Sequence, residues 1–236
     1  KILLLVRNIV LRNFEVIITP SNYLKKYLVN KLFCDENKIK IINNFADIDE
    51  YYINPKENRI INKQKSKKFR LVTLSRLTKW KNIDQVIKAT SNMYDIELNI
   101  IGSGPEEKNL KTIGKDFKHN NLFFYRDIKR KECIKKLKEC DAFLQLSSYE
   151  GMSFSVLESL NLGKVMILSA IEPNIETAKT GAIYVNSNSI KEIRSAIELV
   201  KFINIRKVLV SNTYQINKTY YNKEKKLAEY LYILKN

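Results

Sequence analysis

The chain has 236 residues, of which 44% are hydrophobic, and its formal net charge is +17. The length fits one large domain or two small ones. The charge favours anionic partners such as nucleotides, nucleic acid or an acidic membrane surface, although a proteome rich in lysine would give the same excess. The apolar runs 2–6 and 9–11 are too short to cross a bilayer, and no secretory signal is recognisable. Because the first residue is lysine, we expect the natural chain to begin upstream.

The cysteines and the single histidine argue against several kinds of site. Cys34, Cys133 and Cys140 are odd in number and lack metal-ligand spacing, and the last two share the apolar side of a predicted helix. We therefore predict buried, reduced thiols and a cytoplasmic protein. His119 lies in a polar run and is predicted to be a surface residue. A histidine-based triad or a histidine metal site is accordingly not expected.

Two helices and two strands are predicted in the first 45 residues: helix 1–14, strand 15–19, helix 21–33 with Ser21 as N-cap, and strand 39–42. A polar, lysine-rich stretch with Pro55 follows at 46–68 and is predicted to be a linker.

A regular alternation of strands and helices then begins. The predicted strands are 70–75, 96–101, 122–125, 142–146, 165–168 and 182–185. The predicted helices are 83–91 with Asn82 as cap, 106–118, 131–140, one that contains Glu158, and 190–200. This order predicts right-handed crossovers and a doubly wound parallel α/β sheet. An amphipathic, tyrosine-rich segment at 220–234 follows that sheet.

Two carboxylates lie between a predicted strand and the next helix. Glu150 is in the loop and Glu158 in the first turn of the helix. Loops after parallel strands face the ligand crevice, where acids suit a ribose or sugar and a helix N-terminus suits phosphates. Each residue also has a structural explanation. Ser155 and Glu158 could form a capping box, Glu150 could be a solvated loop acid, and Gly151 could be required by a turn with positive φ.

Basic residues follow the first strand of the alternation. Arg76 and Lys81 lie in SRLTKWKN, at the edge where cations would neutralise a diphosphate; alternatively they are solvated loop residues. The turn GSGP at 102–105 lies on the same edge but matches neither the dinucleotide fingerprint nor a P-loop.

Three further features have a favoured structural explanation. Asp47 and Asp49 form an Asp-x-Asp pair, which can hold a metal–diphosphate complex, but they lie at the linker and chance explains the pair better. Trp80 and Tyr149 could stack on a base or sugar, and packing is the favoured role for both.

Taken in order, several stretches resemble the retaining glycosyltransferases of the GT-B fold, in the group 1 family that uses nucleotide sugars. The matching stretches are VIITPSNYLKKYL, KIKIINNFADIDEYY, LVTLSRLTKWKN, IIGSGPEEKNL, the pair Glu150 and Glu158 on the family's Glu-x7-Glu, and GAIYVNSNSIKEIRSAI. Ser75, Asn82 and Arg126 stand where the family has glycines.

The resemblance implies roles for individual residues. Arg76 and Lys81 would hold the donor diphosphate, Glu158 the ribose, and Glu150, as the catalytic-site acid, the transferred sugar. The remaining implied donor-binding residues are Gly102, Ile128 beside the base, and Gly151, Met152, Ser153 and Phe154, whose amides approach sugar and phosphate. The enzyme would move a hexose from a UDP-, GDP- or ADP-sugar to an acceptor hydroxyl with retention, without a metal or other cofactor.

The resemblance also implies how the chain is divided. Residues 1–45 would be the end of the first Rossmann-like domain, 46–68 the linker, 69–213 the donor-binding domain, and 214–236 a helix crossing back to the first domain. The acceptor would be a glycan or lipid-linked molecule, and the basic residues at 1–12 and 56–70 suggest peripheral contact with an anionic inner leaflet. The alternatives are a non-catalytic nucleotide-sugar module and, less favoured, a nucleic-acid binder.

Overall fold

The computed structural model describes residues 11, 13–48, 68–117 and 121–235. Its N-terminal unit is a two-stranded parallel sheet, formed by β1 (Ile17–Thr19) and β2 (Ile39–Ile41), with helix α1 (Asn22–Leu32) between them. Ser21 caps α1 by accepting a hydrogen bond from the amide of Leu24, as its sequence position predicts. The predictions for helix 1–14, for most of the linker and for His119 fall largely or wholly outside the described residues.

The larger unit is a parallel sheet of six strands with helices on both faces. Its strands are β3 (Phe69–Leu74), β4 (Ile96–Ile101), β5 (Leu122–Tyr125), β6 (Ala142–Gln145), β7 (Met166–Ser169) and β8 (Ala182–Val185). The helices are α2 (Ile83–Thr90), α3 (Glu107–Ile113), α4 (Arg130–Glu139), α5 (Phe154–Asn161), α6 (Glu172–Ala178), α7 (Ile190–Lys201), α8 (Ile203–Tyr220) and α9 (Lys223–Lys235).

The strand order is β5-β4-β3-β6-β7-β8. The first strand, β3, thus lies in the middle of the sheet, with β4 and β5 on one side of it and β6, β7 and β8 on the other. This is the doubly wound α/β arrangement that the sequence predicts. Its topological switch point lies between β3 and β6, where a ligand crevice forms at the carboxyl ends of the strands.

The core has one layer on each side of the sheet. Alternate strand residues enter opposite layers: Leu71 joins the cluster under α2, α3 and α7, while Val72 joins the cluster under α4 and α5. Every residue of β6 and β7 is buried, which explains why these strands are apolar in the sequence except for their last residues, Gln145 and Ser169.

Two helices were not predicted. The short α6 has Pro173 in its first turn, where proline is tolerated, and offers little periodicity. The long α8 buries Leu209, Val210, Thr213 and Ile216, a helical spacing that the sequence does contain. The helix predicted at 106–118 ends at Ile113 and continues as a 3₁₀ turn.

The last helix contacts the N-terminal part of the chain. Lys223, at the start of α9, lies 2.6 Å from the carboxylate of Asp47, just beyond β2. Within the described residues, no helix has both the length and the hydropathy needed to span a membrane.

Candidate functional site

The site is formed by the loops that leave β3 and β6 on either side of the switch point. Lys81 Nζ, in the first loop, forms a hydrogen-bonded ion pair with Glu150 Oε1, in the second, and both side chains are mostly buried. The loops are also joined by the amide of Ser148, which donates to Trp80 O at 2.8 Å. The structure therefore brings together one predicted cation and one predicted acid that are far apart in the chain.

Asn82 is the N-cap of α2, as predicted, but its side chain bonds no amide of that helix and instead holds the two loops together. Its φ is 50°, in the left-handed region, and its side-chain amide donates to Leu146 O at 2.8 Å and to Ser148 Oγ at 2.9 Å. Asparagine tolerates this conformation, so it replaces the glycine expected at this position while adding two contacts across the switch point.

Arg76 is exposed on the loop after β3, and the glycine turn at 102–105 supports that loop. A Cβ on Gly102 would lie 1.9 Å from Ser75 O, and the φ of Gly102 is 137°. Gly104 approaches Leu77 O in the same way, and the amide of Leu77 donates to Ser103 O at 2.9 Å. Gly102 thus fixes the backbone that carries Arg76, because no side chain fits between the two turns.

The start of α5 differs from the predicted capping box. Ser153 is the N-cap, and the hydroxyls of Ser153 and Ser155 both bond Gln145 Oε1, at 2.8 and 2.9 Å. Because the helix begins at Phe154, Glu158 is in its second turn and cannot return to the N-cap amide. The capping-box explanation of Glu158 is therefore wrong.

Glu158 is instead a buried acid paired with an arginine. It is 2% exposed, and its Oε1 accepts a hydrogen bond from Arg130 Nη2 at 2.5 Å. Its other oxygen, Oε2, is buried without a hydrogen-bond partner among the described residues. Burial raises the pKa of this carboxyl above its ordinary value, and Arg130 acts in the opposite direction. An unpaired buried acceptor of this kind is suited to receive hydrogen bonds from a hydroxylated ligand.

The loop between Glu150 and α5 contacts the N-terminal unit. Ser21 Oγ donates to Gly151 O at 3.2 Å, and a Cβ on Gly151 would lie 3.0 Å from a methyl group of Leu24. Gly151 is not among the residues with positive φ, so the turn-based explanation of this glycine is wrong. The side chain of Met152 is buried in the core and that of Phe154 is exposed.

A contact that the sequence did not predict joins α1 to the large sheet unit. Both oxygens of Glu176, on α6, accept backbone hydrogen bonds at the start of α1: Asn22 N lies 2.6 Å from Oε1 and Tyr23 N lies 3.0 Å from Oε2. Lys26 and Glu172 add an ion pair at 2.6 Å. These bonds fix the N-terminal unit beside the Gly151 loop.

Comparison with known families decides what kind of protein carries this site. The model of the family described as "Glycosyl transferases group 1" matches residues 54–215. The chain belongs to this family. The uncharacterized glycosyltransferase MJ1069 of Methanocaldococcus jannaschii is 26% identical over 232 residues, covering 94% of this chain and 58% of that protein. Protein CapJ of Staphylococcus aureus is 25% identical, covering 85% of this chain and 48% of its own length. The chain thus spans about half the length of these relatives.

Solved structures show the same fold. HepE of Anabaena, in complex with UDP and glucose, superposes with a TM-score of 0.83 at 17% identity, covering 99% of this chain and 66% of HepE. The glycosyltransferase WaaG superposes with a TM-score of 0.72 at 15% identity, covering 90% of this chain and 61% of WaaG. The GT-B assignment of the fold is therefore confirmed.

In this group 1 glycosyltransferase, the loop after β5 departs from the family glycine at Arg126. The left-handed residue is the next one, Asp127, with a φ of 49°, and its carboxylate pairs with Arg126 at 2.9 Å. Ile128 is partly buried against the core layer of α4 and α5. The thiol of Cys133 lies 3.8 Å from Ile128 O and holds this loop against α4.

The remaining predicted features have structural contacts. Trp80 and Tyr149 stack on each other, with ring centroids 5.7 Å apart and an angle of 21° between the planes, and both stay partly exposed at the site. Asp47 pairs with Lys223, as described above, and Asp49 is outside the described residues. Cys34 and Cys140 are buried and Cys133 is half-buried, and all three are free thiols.

Proposed function

We propose that this chain is the donor-binding part of a glycosyltransferase that moves a hexose from a nucleoside diphosphate sugar to an acceptor hydroxyl, with retention of anomeric configuration. The observation that carries the proposal is the set of charged residues that follow β3 and β6, the two strands at the switch point. It combines an exposed arginine, the Lys81–Glu150 pair and the buried unpaired oxygen of Glu158. Cations suit a diphosphate, and carboxylates suit the hydroxyls of ribose and sugar.

In this proposal the chain acts on the leaving group mainly by electrostatic stabilisation. Arg76, Lys81 and the N-terminus of α5 would bind the diphosphate, whose charge increases as the glycosidic bond breaks. Lys81 would contact the phosphate while remaining paired with Glu150, so that the pair orients the sugar relative to its leaving group. Glu158 would bind the ribose hydroxyls, Ile128 would lie beside the base, and the amides of residues 151–154 would approach the sugar.

Known structures and relatives support this choice of substrate class. HepE has been crystallised with UDP-glucose and with UDP and glucose, and two Escherichia coli relatives are named as O-antigen biosynthesis glycosyltransferases. We propose a glycan or lipid-linked acceptor for the same reason, and a cytoplasmic protein that docks peripherally on the membrane. We also propose the division into residues 1–45, 46–68, 69–213 and 214–236, with the active site lying between the first and third parts.

Calorimetric titration with UDP, GDP and ADP and with a panel of their sugars tests the donor site. One base series should bind, and Glu158→Gln should weaken its affinity by about tenfold or more, because an ionised acceptor makes the stronger bond to a hydroxyl. The melting temperature should change little. Exposed Glu132, on the adjacent α4, provides the matched control as Glu132→Gln. A folded chain that binds none of these nucleotides would refute the proposal.

A second function, nucleotide-sugar binding without turnover, is favoured by one observation. The chain spans only 58% and 48% of the length of the two relatives described above. Donor hydrolysis by the isolated chain distinguishes the two. Binding with no hydrolysis would favour a module that binds the donor without turnover, and hydrolysis would show that this chain is catalytically competent.

A further inference from the structure

Arg130 forms an ion pair with Glu158, the acid that we propose binds the ribose. It is the first residue of α4, directly after the loop that carries Ile128, and its guanidinium reaches Glu158 Oε1 at 2.5 Å. The Arg130 side chain is 62% exposed, whereas that of Glu158 is 3% exposed. The ion pair therefore joins the solvent-facing end of one helix to a buried acid on another.

The charge on Glu158 depends on this arginine. A carboxylate removed from water takes up a proton unless a cation or several donors stabilise it. Among the described residues, Arg130 is the cation that bonds Glu158. The thiol of Cys133, also on α4, is a second titratable group close to Glu158, and its own pKa is raised mainly by burial. Cys133 supplies no positive charge, so the ionised state of Glu158 relies on Arg130.

We propose that Arg130 is a positioning residue for the donor: it holds Glu158 Oε1, so that Oε2 is presented to the ribose hydroxyls as an ionised acceptor. This inference rests on the proposed function, since it assigns a partner to the same site. Arg130 does not need to touch the nucleotide itself. Arg130 bonds one carboxylate oxygen of Glu158, and the other oxygen remains available to bind the ligand.

The same turn of α4 also fixes the loop beside the proposed base position. Arg130 and Cys133 are three residues apart and lie on one side of the helix. One bonds Glu158 and the other bonds Ile128 O. The start of α4 thus contacts both the acid that we propose binds the ribose and the loop that we propose lies beside the base.

The proposal predicts a pH-dependent preference for ribose. Without Arg130 the pKa of Glu158 rises further, so the acid is protonated at lower pH and loses its charge-assisted bond. The preference for a ribonucleotide over its 2′-deoxy counterpart should then be weaker at lower pH and increase as the pH rises. The terminal phosphate titrates in the same range, but it is common to both ligands and cancels in their ratio.

Calorimetry on the full chain tests this with whichever of UDP, GDP or ADP binds best, and with the 2′-deoxy form of the same nucleotide. In the parent the ribose form should bind about tenfold more tightly at both pH 6.5 and pH 8.5. Arg130→Ala should reduce this ratio of affinities, and the reduction should be larger at pH 6.5 than at pH 8.5. Arg130→Lys keeps a cation and should retain most of the ratio. Lys131→Ala removes one charge from the next, exposed residue and should behave as the parent.

The outcomes separate the two proposals. If the parent binds no nucleotide, the proposed function fails and this inference fails with it. If the parent prefers the ribonucleotide and Arg130→Ala keeps the same ratio of ribonucleotide to 2′-deoxynucleotide affinity at both pH values, Arg130 is not a positioning residue. The proposed donor site is then unaffected. Arg130 is also not a positioning residue if Arg130→Ala lowers the ratio of ribonucleotide to 2′-deoxynucleotide affinity equally at both pH values and Arg130→Lys does not restore it. A purely structural role would give that pattern.

Discussion

Lys164 should make the stability of this protein depend on pH in the alkaline range. Its side chain is fully buried, and its ammonium donates to two carbonyls at the end of α4: Lys138 O at 2.5 Å and Cys140 O at 3.1 Å. Lys164 follows α5 directly, so this contact joins the helices that carry Arg130 and Glu158. Burial lowers its pKa from 10.5 to about 8.

The sign follows from the protons bound in each state. Below pH 8 the folded and unfolded chains both carry the proton, and the cost of burying the ammonium counts fully against folding. Between about 8 and 10.5 the folded chain releases its proton while the unfolded chain keeps it, so the free energy of unfolding increases with pH. The whole difference amounts to about 3 kcal/mol, most of it developed between pH 7 and pH 10.

Urea denaturation at pH 7, 8, 9 and 10 measures this effect when the parent is compared with Lys164→Met. The variant keeps the chain length and lacks the titrating group, so the parent should gain about 2 to 3 kcal/mol relative to it over this range. Tyrosines and exposed lysines titrate in both proteins and cancel in the difference. Lys135→Met, on the exposed side of α4, should show a constant difference from the parent. A constant or decreasing difference for Lys164→Met would refute the reasoning.

Three further predictions concern the site and the surface. Arg76→Ala should weaken nucleoside diphosphate affinity in calorimetry by about 1.5–3 kcal/mol while the fold remains, whereas Lys79→Ala in the same loop should have a much smaller effect; equal affinities would remove Arg76 from the site. Gly102→Ala should lower both the melting temperature and the nucleotide affinity, because the new methyl group meets Ser75 O at 1.9 Å; an unchanged variant would show that the two turns separate freely. The chain should sediment with anionic vesicles at low salt and be released at moderate salt, at about 1 kcal/mol for each basic residue near the surface; equal sedimentation with neutral vesicles would end that proposal.

The basic segments proposed for membrane docking, 1–12 and 56–70, fall mostly outside the described residues.

The sequence determined the α/β architecture because the pattern of apolar residues reflects which faces of each strand and helix are buried, and the order of these elements reflects the topology. Strands β4, β5 and β8 coincide with their predicted bounds, β3 and β7 are each shifted by one residue, and β6 is one residue shorter than predicted. The strands that are covered on both faces, β6 and β7, are apolar except for their last residue, and a helical pattern follows each strand. The loops at the carboxyl edge follow from that order, so Arg76, Lys81 and Glu150 could be placed on one edge without coordinates.

Only the tertiary structure decided how the site residues are paired. Lys81 bonds Glu150 across 69 residues, and Glu176 binds the start of α1 from another unit of the chain. The local sequence pattern also gave a wrong explanation of Glu158. Ser155 and Glu158 have the spacing of a capping box, but the helix begins earlier, at Phe154. Which acid meets which cation depends on loop conformations and on the packing of α4 against α5. The sequence thus specified the edge of the sheet that carries the site, and three-dimensional packing specified that Arg130 holds Glu158.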